Sequence, residues 1–182
     1  MKTISIKESN NFICIGGIKR RNSDNIKTIM KKIKEIESQV HVQLLDAQKV
    51  AGFDHIEIAA LNAFNIVKTG MGISNAITTE TLLFASACDQ IIKSVELLGA
   101  SDNPDELVLI VFSTDSFYER AYLKISELIG IEDDSVLDLT PKKRRYLREI
   151  FNISELEMQV SGDEDNLMKL IIERGSLLRL KH

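Results

Sequence analysis

The sequence predicts an α/β (α+β) fold in which several packed helices surround a small, mostly buried sheet. Segments with apolar residues at helical spacing recur along the chain, and short apolar runs bounded by turn residues lie between them. One of these runs, Leu107 to Phe112, has no polar alternation. Such a run is typical of a strand that is covered on both faces.

Length and composition indicate an ordinary globular protein. The chain has 182 residues, about the length of one domain, and we expect residues 1–182 to form a single domain. The hydrophobic share of 44% and the charged share of 27% are near the averages of folded proteins. No apolar run approaches the roughly 20 residues that span a bilayer, and the N-terminus has no signal-peptide core. We therefore expect no membrane association and a cytoplasmic location.

The cysteines and the net charge narrow the possible ligands. Cys14 and Cys88 are far apart and have no CxxC or histidine-paired spacing, which argues against a zinc site, a redox pair or a disulfide. We expect both to be small buried apolar residues. Because the net charge is −4, any binding of nucleic acid must depend on a local basic patch.

The N-terminal part of the chain predicts a strand and then a helix. Residues Phe12 to Ile15 predict a short strand that ends in a turn at Gly16 and Gly17. Ser23 is the expected N-cap of the helix, because apolar residues then recur at helical spacing. They are Ile26, Ile29, Met30, Ile33 and Ile36, with Lys27, Lys31 and Lys34 on the opposite face.

A second strand and three helices follow. Val42 to Leu45 predicts a buried strand, and the next segment predicts a central helix that runs to about Lys68 and has small residues for close packing. Gly99 is the expected terminator of the third helix. The expected N-caps of these helices are, in chain order, Asp54, then Thr78 or Thr79, then Asp89.

The remaining elements are helical. A helix is expected from about Phe117 to Ile129, Thr140 and Pro141 are the expected cap and first residue of another, and Ser154 with Glu157 matches a capping box. The last helix is expected from about Glu164 to Leu180, with an apolar surface wider than one packing face requires. That surface contains Leu167, Met168, Leu170, Ile171, Ile172 and Leu178.

No catalytic constellation is readable in the sequence. The chain contains no HExxH, GxSxG or GxxxxGK[ST] motif, and acidic groups such as Glu132-Asp133-Asp134 lack calcium-loop spacing. We therefore expect no catalytic residues, no metal site and no cofactor. One alternative remains, a small-molecule or nucleotide-binding enzyme that uses His55 and the Gly70-Met71-Gly72 loop, where backbone N–H groups could hold a phosphate.

Two basic clusters stand out against the acidic net charge. Lys19-Arg20-Arg21 adjoins the first helix, and the second cluster contains Lys142, Lys143, Arg144, Arg145 and Arg148. Lys142 and Lys143 occupy the first turn of their helix, where the helix dipole disfavours a cation. The second cluster is either an anion-binding patch or a surface face that Glu132-Asp133-Asp134 balances.

Three stretches carry a resemblance to a known family. The middle one is His55-Ile56-x-x-Ala59-Ala60-x-x-Ala63, then Thr79-Glu80-Thr81-Leu82-Leu83-x-Ala85-Ser86, then Asp89-Gln90-Ile91 and Val95 to Gly99. The other two are Ile150-Phe151-Asn152-Ile153-Ser154-x-x-Glu157 and Leu170-Ile171-Ile172-Glu173-Arg174-x-x-Leu177-Leu178. Together, and in this order, they resemble the small subunit of the KEOPS tRNA-modification complex known as PRPK-binding protein, with its archaeal and fungal relatives.

The resemblance is not complete. Archaeal relatives commonly carry a Gly-x-Arg-Gln-Ile turn where this chain has Ala87-Cys88-Asp89-Gln90-Ile91, so an acid replaces the arginine. This departure puts one expected RNA contact in doubt. Gly175 stands where a larger apolar residue is usual, and we expect it to loosen the last helix.

The resemblance implies a non-catalytic protein with two partners. It implies binding to the N-lobe of the small kinase-like ATPase subunit of KEOPS, and binding of the 3′ end of tRNA during N6-threonylcarbamoyladenosine modification. ATP, metal and transfer chemistry would belong to other subunits. The expected kinase-binding residues are Ile91, Val95, Met168 and Ile172. The expected RNA-binding residues are Lys68, Ser86, Gln90, Lys93, Arg174 and Arg179.

Overall fold

The computed structural model describes residues 1–6, 11–21, 23–100, 103–114, 117–160 and 166–181. Within these ranges the chain forms five strands and eight α-helices, which confirms the mixed α/β fold. The chain divides into two compact units. Unit 1 comprises Met1–Ala47 and Ala100–Val136, and unit 2 comprises Gln48–Gly99 and Leu137–His182. The prediction that residues 1–182 form one domain stays a prediction.

Unit 1 contains an antiparallel sheet. Its strands are β1 (Lys2–Ile6), β2 (Asn11–Arg20), β3 (His41–Asp46), β4 (Glu106–Ser113) and β5 (Gly130–Glu132). The order across the sheet is β1-β2-β4-β3, and β5 pairs with the C-terminal end of β2. The register places Ile15 opposite Ile110, and Leu44 opposite Leu109. Every residue of β4 after Glu106 is buried, as the unbroken apolar run predicts.

The predicted turn at Gly16 and Gly17 is wrong, because β2 continues through both glycines. Neither glycine has a positive φ. Instead, other parts of unit 1 approach the strand closely. A Cβ on Gly16 would lie 2.0 Å from the hydroxyl oxygen of Tyr122, and a Cβ on Gly17 would lie 2.5 Å from the carbonyl oxygen of Asp133. The pair of glycines therefore marks a crowded strand.

Two helices pack against one face of this sheet, α1 (Ile26–Ile36) and α5 (Tyr118–Ile129). The N-cap of α1 is Asn25 instead of the predicted Ser23, because the Asn25 side chain accepts a hydrogen bond from the backbone N–H of Thr28 at 2.8 Å. Cys14 is buried in this core, as expected. Other members of the core are Ile18, Ile29, Ile33, Leu44, Leu107, Leu109, Val111, Tyr122, Ile125 and Ile129.

Unit 2 is helical within the described residues. Its helices are α2 (Phe53–Thr69), α3 (Ile77–Ser86), α4 (Ile91–Leu98), α6 (Pro141–Ile150), α7 (Glu155–Val160) and α8 (Asn166–Ser176), and a short 3-10 helix (Leu177–Lys181) follows α8. Helix α2 packs against α3 and α8, and α3 also packs against α4 and α8. The expected helix start near Glu164 lies outside the described residues.

The helix starts in the first half of unit 2 differ from the predicted caps. Helix α2 begins after Gly52, whose φ of 94° favours glycine, so Asp54 is in the first turn and is not the cap. Helix α3 begins after Ala76, ahead of both predicted threonines, and α4 begins after Gln90, which follows Asp89. None of these three N-caps has a side-chain hydrogen bond. Packing and loop geometry therefore set these boundaries.

The two helix starts predicted in the second half of unit 2 are confirmed. The Thr140 hydroxyl accepts a hydrogen bond from the backbone N–H of Lys143 at 3.2 Å, and Pro141 is the first residue of α6. The backbone N–H of Ser154 donates to the Glu157 carboxylate at 2.8 Å, and that of Glu157 donates to the Ser154 hydroxyl at 3.3 Å. This reciprocal pair is a capping box at the start of α7.

Gly175 allows α8 to pack closely against α3. It is buried on α8, and a Cβ at this position would lie 2.3 Å from the carbonyl oxygen of Phe84 on α3. The expectation that Gly175 loosens the last helix is therefore corrected: the missing side chain lets α8 approach the backbone of α3.

Candidate functional site

His55 is a buried histidine in the first turn of α2, and only 2% of it is exposed. Its Nδ1 accepts a hydrogen bond from the backbone N–H of Ala51 at 3.1 Å, and its Nε2 donates to the carbonyl oxygen of Ala85 at 2.8 Å. Burial lowers the pKa of His55 to about 4. The ring is therefore neutral near pH 7, and neither of its nitrogens is left for a ligand.

The Gly70-Met71-Gly72 loop faces a carboxylate. Gly70 ends α2 with a left-handed φ of 69°. The fully buried Glu80 accepts a hydrogen bond from the backbone N–H of Ser74 at 2.6 Å. A Cβ on Gly72 would lie 3.1 Å from the same carboxylate oxygen. Because a carboxylate occupies the place where a phosphate would be held, the geometry does not support the alternative of an enzyme that uses this loop and His55.

Arg179, one of the predicted RNA-binding residues, is part of a buried ion pair. Its guanidinium donates to the carboxylate of Glu80 at 2.5 Å, and only 16% of its side chain is exposed. The guanidinium carbon lies 5.3 Å from the centroid of the Phe84 ring, a cation–π distance. Arg179 therefore stabilises the position of Glu80, and its charge is neutralised within unit 2.

Arg174, another predicted RNA-binding residue, connects α8 to the segment before α7. It donates to the carbonyl oxygen of Phe151 and, at 2.5 Å, to the carboxylate of Glu157. The backbone and side-chain hydrogen bonds from Ser154, together with Arg174, lower the pKa of Glu157 to about 2. The guanidinium of Arg174 thus has partners in the fold.

Ser86 is also turned inward. Only 4% of it is exposed, and its hydroxyl oxygen lies at hydrogen-bond distance from the Ser94 hydroxyl, 2.8 Å, and from the carbonyl oxygen of Leu83, 3.1 Å. This contact joins α3 to α4. That Ser86 binds RNA stays a prediction; in the structure its hydroxyl contributes to the packing of α3 against α4.

Helix α4 presents an apolar patch, which we define as Ile91, Ile92 and Val95. Their exposed fractions are 41%, 75% and 40%. The buried side of the helix is formed by Ser94 and Leu98. Exposed apolar side chains that adjoin one another on a helix are typical of a protein–protein interface. The structure thus brings two of the four predicted kinase-binding residues together.

Lys93 and Gln90 occupy a different side of α4. Successive helical residues turn by about 100°, so Lys93 lies about 160° around the helix from both Ile91 and Val95. Gln90 is the exposed N-cap of the helix. On α4, Lys93 therefore lies on a different side from Ile91 and Val95.

The other predicted site residues are distributed over unit 2. Lys68 is exposed in the last turn of α2 and takes part in an interaction of its own. Met168 and Ile172 on α8 are half-buried. The Met168 sulfur would lie 3.5 Å from a Cβ on Gly52, and Ile172 lies beside His55. The wide apolar surface of the last helix is thus partly a packing surface.

The sequence analysis missed Ile92, the most exposed member of the apolar patch. The signal was the pair Ile91-Ile92 at the start of a helix. Two adjacent helical residues point in directions about 100° apart, so a single packing face seldom buries both.

The first basic cluster is largely engaged within unit 1. Lys19 forms an ion pair with Asp133 at 2.6 Å, and this hydrogen bond is the main reason that the pKa of Asp133 is lowered to about 2. Arg20 donates to the carbonyl oxygen of Pro104 at 3.1 Å and to that of Asp24. This cluster therefore stabilises the end of β2.

Within the ranges that the structure describes, no three His, Cys, Asp or Glu residues gather in a way that could hold a metal ion. Within the same ranges, no helix is long and apolar enough to cross a membrane.

Comparison with known proteins decides the family. The family model described as "Kinase binding protein CGI-121" matches residues 21–178. The chain belongs to this family. One similar protein of this kind is "Regulatory protein Cgi121" of Methanocaldococcus jannaschii, which is 34% identical over 140 residues. The match covers 76% of this chain and 83% of the relative. The resemblance found in the sequence motifs is thereby confirmed at the level of the family.

The CGI-121 match extends over both units of the fold. It begins at residue 21, beyond β1 and β2, and it ends at residue 178, within the final 3-10 helix. All the predicted kinase-binding residues lie inside the matched range, and so does the apolar patch on α4. The chain is thus a member of a kinase-binding protein family.

Proposed function

We propose that this chain is the non-catalytic KEOPS subunit that binds the small kinase-like ATPase and helps to dock tRNA. The reaction served is N6-threonylcarbamoyladenosine modification of tRNA, and the proposed location is the cytoplasm. Membership in the CGI-121 kinase-binding family supports the kinase partner. The name of the Methanocaldococcus relative, a regulatory protein, supports a role without catalysis.

The observation that carries this proposal is the apolar patch on α4. Its three side chains lie within one turn of a helix, at positions where i and i+3 or i+4 neighbours adjoin. Ile92, with 75% of its surface exposed, loses much contact with water when a partner covers it. Buried apolar anchors of this kind often dominate the binding energy of an interface. We propose this patch as the centre of the contact with the kinase.

We predict that Ile92→Glu weakens kinase binding at least tenfold, because a carboxylate would be buried against an apolar partner surface. The measurement is isothermal titration of the purified kinase-like ATPase with each variant. Since Ile92 is exposed, the variant is expected to keep the unfolding temperature of the wild-type chain.

Leu156→Glu is the matched control for that experiment. Leu156 lies on α7 and is 69% exposed, so the substitution introduces the same charge on an equally exposed apolar residue. Normal kinase binding by this control, with loss in Ile92→Glu, supports the patch. If both variants bind like the wild-type chain, α4 is not the contact. Ile172→Glu is a poorer test, because Ile172 is half-buried and its replacement perturbs packing.

The proposed tRNA contact uses the other side of α4. Gln90 and Lys93 are exposed there, whereas Ser86, Arg174 and Arg179 have partners inside unit 2. Asp89 precedes the helix and carries the opposite charge from the arginine common in archaeal relatives. We therefore propose a weak, backbone-directed contact with the unpaired 3′ end of tRNA.

The tRNA proposal is tested by comparing intact tRNA with tRNA that lacks its terminal nucleotides. We expect intact tRNA to bind more tightly, Lys93→Gln to weaken that binding, and the affinity to fall with salt with a slope of about 0.7 per single-strand phosphate contact. Lys31→Gln on the exposed face of α1 is the control for loss of one charge. Equal binding of the intact and the shortened tRNA would contradict docking of the 3′ end.

A further inference from the structure

A groove beside α6 is lined by three arginines. Its cavity of about 450 Å³ lies between Arg144, Arg145 and Arg148 on α6, Met158 on α7 and Leu167 on α8. This volume is in the range of small-molecule sites. The lining combines the three guanidinium groups with the flexible side chain of Met158 and the apolar side chain of Leu167. The kinase-binding and RNA-binding candidates argued above are not among the lining residues.

Solvent reaches two of the three arginines of this groove, Arg145 and Arg148, whereas Arg144 has partners in the fold. Arg148 donates to Glu155 at 2.6 Å, but 75% of the Glu155 side chain is exposed, so solvent weakens this pair. The Nε atom of Arg148 is buried and makes no hydrogen bond to the described residues. Arg145 is exposed. The Nε of Arg144 donates to the carbonyl oxygen of Leu139 at 3.2 Å, which constrains that guanidinium group.

Two of the three acidic residues that could balance this cluster, Asp133 and Asp134, have partners within unit 1. Asp133 pairs with Lys19 at 2.6 Å. Asp134 accepts hydrogen bonds from the N-terminal amino group at 2.8 Å and from the backbone N–H of Gly17 at 2.9 Å. Of the two alternatives left open by the sequence, an anion-binding patch is therefore the one that the contacts favour.

We propose that this groove binds a nucleotide, with its phosphate on Arg145 and Arg148 and its base or ribose over Met158. Guanidinium groups bind phosphate oxygens in a bidentate geometry and also stack on bases. A methionine side chain adapts to a planar ring. Several converging guanidinium groups suit a phosphate, which offers more acceptor oxygens than a carboxylate. The source of the nucleotide is either an RNA strand, which rests on the proposed function, or a free nucleotide, which does not.

The test is a titration of the full chain, with the Met158 methyl group followed by NMR. The probes are AMP, a single-stranded RNA of about six nucleotides, and a glutamate peptide of similar charge. We expect AMP or the RNA to shift the Met158 signal. The double variant Arg145→Gln, Arg148→Gln is expected to bind roughly tenfold or more weakly, because charge-assisted hydrogen bonds to phosphate are lost.

The matched control is Lys31→Gln, Lys34→Gln, which removes the same charge from the exposed face of α1. A loss of binding in the arginine variant that the lysine variant does not show supports a local site. Arg145→Lys keeps the charge but removes the planar fork, and we expect it to bind less tightly than the wild-type chain.

The outcomes separate the two sources and the alternatives. If the RNA shifts the Met158 signal and AMP does not, the source is an RNA strand. If AMP binds as tightly as the RNA, the source is a free nucleotide. Both results support the groove. The proposal is overturned if neither probe shifts Met158, if the arginine and lysine variants bind equally, or if the glutamate peptide binds more tightly than both. If Lys93→Gln weakens tRNA binding while the arginine variant changes the binding of neither tRNA nor AMP, the proposed function stands and the groove proposal fails.

Discussion

His55 joins two helices of unit 2 as a neutral ring. It accepts a hydrogen bond from Ala51 just before α2 and donates one to Ala85 near the end of α3. Protonation of Nδ1 would break the first of these bonds and would place a charge in a site without solvent. In the sequence, His55 and the Gly70-Met71-Gly72 loop suggested a possible enzyme site. The contacts show that His55 is a structural residue.

We predict that the free energy of unfolding decreases as the pH falls from about 6.5 to about 4. Burial lowers the pKa of folded His55 from 6.5 to about 4, so in this window the unfolded chain binds a proton that the folded chain excludes. The contribution of His55 to the free energy of unfolding is therefore complete above pH 6.5. It decreases as the pH falls toward 4, by roughly 3 kcal/mol in total.

Urea unfolding of wild-type, His55→Gln and His41→Gln chains at pH 7 and pH 4.5 measures this effect. His41 is exposed and serves as the control. His55→Gln is expected to be less stable at pH 7 but to change less between the two pH values. The carboxyl groups of Asp133 and Glu157, whose pKa values are near 2, lose their contribution mainly at lower pH. Identical pH dependence in all three proteins would contradict the role assigned to His55.

The ion pair of Arg179 with Glu80 is largely buried. Arg179→Gln leaves the fully buried Glu80 without its ion-pair partner, and we expect the free energy of unfolding to fall by about 3 kcal/mol. Lys93→Gln, on an exposed position of α4, is expected to change stability by less than about 0.5 kcal/mol. Thermal and urea unfolding of both variants would show this contrast. A fully stable Arg179→Gln protein with weakened tRNA binding would instead support the original interpretation of Arg179 as an RNA contact.

At the scale of elements, the two most informative segments are α4 and α8. Helix α4 is short, buries Ser94 and Leu98, half-buries Leu97, and exposes its other residues to solvent. Helix α8 is packed against α2 and α3 and has Gly175 at the point of closest approach to α3. The first is thus available to partners, whereas the second is mainly part of the core of unit 2.

We predict that Gly175→Ala destabilises the protein, although alanine is the better helix former. The added Cβ would lie 2.3 Å from the Phe84 carbonyl oxygen, and relief requires movement of a backbone. Overpacking of this kind lowers the free energy of unfolding by about 1–3 kcal/mol. We expect this loss to exceed the stabilisation that comes from the higher helix propensity of alanine. Urea unfolding measures the difference, with Ser176→Ala on the exposed side of α8 as the control. A stabilised Gly175→Ala protein would show that the close approach is not present in solution.

At the scale of the whole molecule, local signals predicted much of the fold. The uninterrupted apolar run predicted β4, and the periodicity of the isoleucines predicted α1. The N-cap at Thr140 and the capping box at Ser154 predicted the starts of α6 and α7. Features that depend on distant parts of the chain were not predictable from the local pattern. They include β1, which is ordered by pairing with β2, and the straight passage of β2 through Gly16 and Gly17.

The candidate site was predictable only in outline. The motifs identified the family and the region around α4, but not the burial of each residue. Ser86 and Arg179 are polar in sequence and engaged in the fold, because partners far along the chain, such as Glu80 for Arg179, satisfy them. Ile92 was missed since its exposure depends on which side of α4 packs against α3.

The most direct test of the central claim is hydrogen exchange of the full chain with and without the kinase-like ATPase. If the apolar patch is the contact, the amides of α4 (Ile91–Leu98) exchange more slowly in the complex, because opening of the helix then also requires partial release of the partner. We expect protection centred on α4, with little change in α1, which belongs to unit 1. Unchanged exchange in α4, with protection confined to other elements of a complex that does form, would contradict it.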